Sequence, residues 1–215
     1  MRKIKRILTL IFDYLFPSDI LNKAHKFAKF DDSQFALKID GIEDFAIPFN
    51  YRDEIKDCIL AYKYRDKPHY AEFFSRTIAG ATANKFRDVK IDAVVSVPTI
   101  LDDKQDFDHA GYLARKVATN ILVPYIKHAM IKTRKTEKQH FLDYQQRLEN
   151  VKDLYAANVK KQHKINGNIL LIDDIITTGA TVASAAEALR AAGANKVYVA
   201  ATAYTNLKNY REVKL

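Results

Sequence analysis

The chain has 215 residues, 48% hydrophobic and 28% charged, which is enough to bury one sizeable core. With 35 Lys and Arg against 26 Asp and Glu, the formal charge of +9 favours phosphate-bearing partners, and it equally suits a basic protein with none. A lone Cys58 excludes an internal disulfide and any multi-cysteine zinc site, the six histidines show no metal-ligand spacing, and a reducing cytoplasm is the expected setting.

The opening MRKIKRILTLIFDYLF begins like a secretory leader, but Asp13 breaks its apolar run and no small-residue cleavage site follows. It is too short to span a bilayer, so no transmembrane segment is expected there. It reads as an amphipathic helix packed on the body, with a peripheral membrane contact as the alternative. Pro17 closes it, and a linker or small irregular module follows, so 1–43 reads as an appendage and 44–215 as the main domain.

DFAIPFNY at 44–51 predicts a strand that Pro48 confines to a sheet edge. Ile55, Cys58, Ile59 and Tyr62 recur at the spacing of one helix face. A second helix is expected over 68–85, with Ala71, Phe74, Ile78 and Ala81 inward. IDAVVSVP, 91–98, is a continuous apolar run suited to a strand covered on both faces. A helix over 107–122 and a strand at 128–132 come next. Residues 133–150 are densely polar, a loop with a short helix. A central strand over 169–172 leads into a helix with Val182, Ala185, Ala186 and Leu189 on one side, ended by Gly193, and a strand over 196–202 completes the pattern. This alternation predicts an α/β fold with a doubly wound, mostly parallel sheet.

ILLIDDIITTGAT, 169–181, carries the chemistry. Ligands of open parallel sheets bind beyond the carboxyl ends of the strands, where Asp173 and Asp174 are expected. The loop after them feeds a helix N-terminus, which favours an anion. Thr177, Thr178 and Thr181 add hydroxyls, and Gly179 allows close approach of the backbone, so the loop suits a phosphate. The acids repel phosphate and need a donor or a cation, and ribose hydroxyls and a hydrated Mg²⁺ both qualify. The plain alternative is a capped helix beside two solvated aspartates.

IDDIITTGAT resembles the phosphoribosyl-pyrophosphate (PRPP) signature of type I phosphoribosyltransferases. The resemblance implies that fold, with Asp173 and Asp174 on the ribose hydroxyls and on Mg²⁺, directly or through water. It implies Thr177, Thr178, Gly179, Ala180 and Thr181 around the 5-phosphate. Related purine-salvage enzymes carry an aspartate where this chain has Thr177, which argues against a 6-oxopurine substrate.

LFP at 15–17, AYKYRDK at 61–67 and VSVP at 95–98 occur in the order of the ComF family, competence-associated phosphoribosyltransferase-like proteins. Thr136, Gln139, Leu142, Arg147 and Asn150 fit its T-x-x-Q-x-x-L-x-x-x-x-R-x-x-N pattern, before a strand-like LYAAN at 154–158. Lys132, Arg134, Lys135, Lys138 and Arg147 crowd this polar stretch, either as a solvated surface or as a lid over pyrophosphate. Arg134, Lys138, Gln139 and Arg147 are the lid candidates. Val97, Pro98 and Thr99 resemble the loop that binds pyrophosphate through backbone amides; a proline-terminated strand is the alternative. Lys63 and Arg65 either face the same site or partner a helix dipole.

Two departures qualify the match. The family's four-cysteine zinc module is missing, with residues such as Ile20 and Lys23 in its place, so no zinc is expected. TILDDKQDFDHA, 99–110, puts Asp102, Asp103 and Asp106 where the family is basic. Two functions follow from the resemblance. One is Mg²⁺-dependent phosphoribosyl transfer from PRPP to an acceptor; the other is a non-enzymatic PRPP-binding module handling single-stranded DNA during DNA uptake. A PRPP-sensing regulator shares the same pocket.

Overall fold

The computed structural model describes residues 38–64, 69–98, 108–134, 151 and 153–205. The expected N-terminal helix, Arg65, Thr99, the acidic stretch with Asp102, Asp103 and Asp106, and Lys138, Gln139 and Arg147 lie outside the described residues.

The edge strand forms as two short pieces, β1 (Phe45–Ala46) and β2 (Phe49–Asn50), on either side of Pro48. Both run parallel to β7 (Ala194–Tyr204), with Phe45 opposite Val199 and Phe49 opposite Ala203. A proline has no N–H to give the ladder, so the interruption falls there. Next come α1 (Asp53–Tyr64), α2 (His69–Lys85), β3 (Ala93–Ser96) and α3 (His109–Asn120). Asp108 caps α3, accepting the Gly111 amide at 2.9 Å. A separate antiparallel pair follows, β4 (Met130–Lys132) and β5 (Tyr155–Ala157), with Lys132 opposite Tyr155.

β6 (Gly167–Ile176), α4 (Ala180–Ala191) and β7 close the chain into one main sheet. Its order is β1-β7-β6-β3, with β2 also on β7 and every pairing parallel. Gly193 takes φ +119° just after α4, the turn expected of it. The same site leaves no room for a side chain, since a Cβ would lie 3.0 Å from the Ile165 carbonyl oxygen.

The central strands are buried on both faces, and their residues alternate between two cores. Val95, Ile169, Leu171, Val197 and Val199 meet Val182, Ala185, Ala186 and Leu189 of α4, together with Met130, Leu154 and Tyr155. Val94, Leu170, Ile172, Tyr198 and Ala200 meet α1, α2 and α3 through Ile59, Tyr62, Phe74, Ile78, Leu113 and Val117. The helix faces expected from spacing are the faces buried. Ahead of β1, Ile39 and Ile42 pack on the α4-side core, and the Glu43 amide donates to the Val197 carbonyl at 2.9 Å. Among the described residues no helix is long and apolar enough to cross a membrane.

Leu170 is fully buried at the centre of the sheet. Leu170→Ala is expected to lower the unfolding free energy by about 3 kcal/mol. Asp108→Ala, which removes the α3 cap, is expected to cost about 1 kcal/mol. Urea denaturation of the two variants checks both values and their ratio.

Candidate functional site

The acid pair is built into the sheet. β6 continues past it, with Asp173 opposite Ala201 and Ile176 opposite Tyr204 on β7, so the expected strand over 169–172 is extended at both ends. On its other side, among the described residues, β3 pairs with β6 as far as Ser96 opposite Ile172. Asp173 and Asp174 thus stand one step beyond the carboxyl end of β3, held firmly from the β7 side.

The two acids are adjacent and sense each other's charge, and their neighbours come from both sides of the sheet. Asp174 meets the helical side, where Lys63 in the last turn of α1 reaches it, Nζ to Oδ2 2.5 Å, with side chains 22% and 16% exposed. Asp173 is under the influence of the β4–β5 pair, whose Lys132 and Tyr155 both sense its charge. Each carboxylate also accepts the next backbone amide: Asp174 N to Asp173 Oδ1 is 2.8 Å, and Ile175 N to Asp174 Oδ1 is 2.6 Å.

Burial, followed by the charge of Asp174, pushes the Asp173 carboxyl up to about 7 against an ordinary value of 3.8. Burial pulls Lys132 down to about 8, and Asp173 opposes that shift. Two groups of opposite charge both move toward neutrality, so desolvation outweighs their attraction. Tyr155 is raised by burial and then by both acids, and Tyr62 by burial and then by Asp174. The Tyr62 hydroxyl donates to the His109 carbonyl at 2.7 Å, tying α1 to the start of α3 beside the site. The negative charge is therefore incompletely offset, which suits a cation. Among the described residues no three His, Cys, Asp or Glu side chains converge on one metal position. A divalent ion here would complete its shell with water or ligand oxygen, as Mg²⁺ does.

The loop after β6 turns at Gly179, which takes φ +80° at the N-cap of α4. The Ala180 amide donates to Thr178 Oγ1 at 3.2 Å. A Cβ on Gly179 would lie 2.2 Å from Ile39 Cδ1, so this glycine answers both a left-handed turn and a close neighbour. Thr177, Thr178 and Thr181 are half-buried around it, and Ala180 is buried. All five loop residues named from the sequence therefore sit together at the start of a twelve-residue helix.

The 97–99 segment is narrower than its sequence suggests. The Val97 amide donates to the Ile172 carbonyl at 3.0 Å, and Pro98 has no amide. Neither of these two offers an amide to an anion, and Thr99 lies outside the described residues. Arg134 is exposed two residues beyond Lys132. Tyr155 and Ile39 were not signalled by the sequence; the pairing of Tyr155 with Lys132 needs the strand register, and Ile39 sits in an unpatterned stretch.

A parallel sheet with helices on both faces, and an acid pair next to a glycine-turned helix start, is the architecture of a phosphoribosyltransferase-type α/β protein. Residues 72–214 match the phosphoribosyl transferase domain family. The chain belongs to that family, as a type I phosphoribosyltransferase-like protein of the ComF kind. It is similar to the DNA utilization protein YhgH of Escherichia coli K12, 26% identical over 155 residues that cover 70% of this chain and 67% of that protein. Competence protein F of Haemophilus influenzae is 22% identical over 159 residues, covering 70% and 68% of the two chains. Among solved structures, the glutamine PRPP amidotransferase of B. subtilis, complexed with ADP and GMP, aligns with a TM-score of 0.43 at 23% identity. That alignment covers 67% of this chain and 30% of the amidotransferase, so this chain spans less than a third of it.

The raised Asp173 carboxyl has a consequence for stability. Its folded value of about 7 lies above the ordinary 3.8, so the folded protein keeps a proton that the unfolded chain releases between these values. Stability contributed by this group therefore falls as pH rises from about 4 to about 7 and levels off above. In buffer containing EDTA, Asp173→Asn is expected to remove this slope and to be more stable than the wild type at about pH 8. Urea midpoints at about pH 5 and about pH 8 check it; equal slopes in the two proteins would contradict the assignment.

Proposed function

We propose that the protein binds PRPP with Mg²⁺ and transfers its phosphoribosyl group to an acceptor nucleophile. The observation that carries this reading is the under-compensated acid pair beside the Gly179 turn. The two parts offer opposite electrostatics a few residues apart, which matches a sugar with hydroxyls at one end and a phosphate at the other. In this reading Asp173 and Asp174 take the ribose hydroxyls and, through water, the metal. Thr177, Thr178, Gly179, Ala180 and Thr181 take the 5-phosphate with backbone amides and hydroxyls at the positive end of α4.

Mg²⁺ would supply charge neutralisation for the departing pyrophosphate. Arg134, Lys138, Gln139 and Arg147 would add basic and polar groups over the same leaving group, and closure of that segment would exclude water from the sugar carbon. Stabilisation in this reading is mostly electrostatic, and no residue is assigned as a general base.

A second reading has support in the relatives named for DNA utilization and competence. There the pocket serves a non-enzymatic, competence-associated module that handles single-stranded DNA, with the +9 charge meeting phosphates.

Calorimetry with PRPP and Mg²⁺ tests the shared pocket. The wild type is expected to bind, and Asp173→Ala/Asp174→Ala to lose about a hundredfold in affinity, or about 2.7 kcal/mol. No binding by the wild type, or equal binding by the variant, overturns the pocket. Pyrophosphate release across a panel of bases and amines supports the transferase. Its absence, with salt-dependent single-strand binding that survives the double change, supports the DNA-handling module.

A further inference from the structure

Of the two lysines whose charge reaches the acids, Lys63 and Lys132, Lys63 makes an ion pair at contact distance with Asp174. Lys63 Nζ lies 2.5 Å from Asp174 Oδ2, both side chains largely shielded from water. Taking the reading above as its basis, we propose that Lys63 is a displaceable counter-ion: its ammonium holds Asp174 while the pocket is empty and yields that place to the divalent cation when PRPP arrives.

Three features carry this. First, an ammonium at contact distance from one carboxylate oxygen stands where a cation, or a water of its shell, has to go. Two positive ions at that spacing repel, and poor solvent exposure weakens the screening between them. Second, Lys63 is a point charge on a flexible four-carbon stem, so it can leave without moving its helix. Its place in the last turn of α1 keeps it charged after release, because the carbonyl end of a helix favours a cation. Third, the lysine serves the pair as a whole: its charge also acts on Asp173, ahead of that of Lys132, so its release uncovers both carboxylates to the cation.

The pair is thus kept near neutrality on its helical face before ligand arrives, and the metal has to compete for it. Metal affinity without PRPP is held down by the lysine, whose released ammonium turns toward the phosphates that accompany the metal.

The test is Mn²⁺ binding to the metal-free full chain, followed by electron paramagnetic resonance, for the wild type, Lys63→Gln, Lys63→Met and Lys63→Arg. Removing the competing charge is expected to tighten Mn²⁺ binding about fivefold or more in the Gln and Met variants. The Arg variant, which keeps the charge, is expected to stay within about twofold of the wild type. The Gln and Met changes differ in polarity at a helix end, so either one that folds gives the readout. Unchanged or weaker Mn²⁺ binding in them overturns the role of Lys63. PRPP calorimetry on the same proteins separates the two levels. Wild-type PRPP binding with unchanged Mn²⁺ affinity in the variants removes the counter-ion alone; no PRPP binding by the wild type removes the pocket and the counter-ion with it.

Discussion

Two adjacent carboxylates on a strand buried from both sides are the constraint on which the rest of the site depends. β6 cannot drop them, because its ladder with β7 continues to Ile176. Lys63 from α1 pairs with Asp174 and also acts on Asp173, and Lys132 from β4 adds a smaller attraction to Asp173. α1 and the small β4–β5 sheet thus both bring a cation toward the pair.

The compensation is incomplete. Asp173 and Lys132 both shift toward their neutral forms, so the interior costs these charges more than their attraction returns. A protein selected only for stability would fill these positions with the valine and isoleucine found along the rest of the sheet. What tolerates the cost is the double core. Leu170 and Ile172 pack under three helices and Ile169 and Leu171 under one, and these four precede the acids without a break. The unfavourable charge follows directly on the fully buried stretch Ile169 to Ile172 and stays anchored to β7.

Much of this was legible in the sequence. The buried faces of α1, α2 and α4 follow from apolar residues recurring at helical spacing, and the edge character of β1 and β2 follows from Pro48. The loop from Thr177 to Thr181 was readable because its residue types answer local needs: hydroxyls beside a helix start, and a glycine in the left-handed region. The true length of β6 was hidden, because hydrophobic runs mark strands and two aspartates end such a run while the backbone ladder continues. The commitment of the Val97 amide to Ile172 was equally invisible, since it depends on how far β3 and β6 overlap. The ion pair of Lys63 with Asp174 depends on register and helix placement, which belong to the folded sheet rather than to spacing along the chain.

The same distinction explains Ile39. Nothing in its neighbourhood is patterned, yet its Cδ1 occupies the space a Cβ on Gly179 would need. The segment ahead of β1 is held along β7 by the Glu43 amide and against α4 by Ile39 and Ile42. A side chain entering beside β1, at the edge of the sheet, thus packs on the turn that opens α4. Gly179 is then required twice, once by its φ of +80° and once by the isoleucine above it. The backbone of the loop that opens α4 is shaped by packing from a segment distant in sequence as well as by its own residues. Its geometry is a property of the whole α4 face of the domain, and the TTGAT motif alone does not determine it.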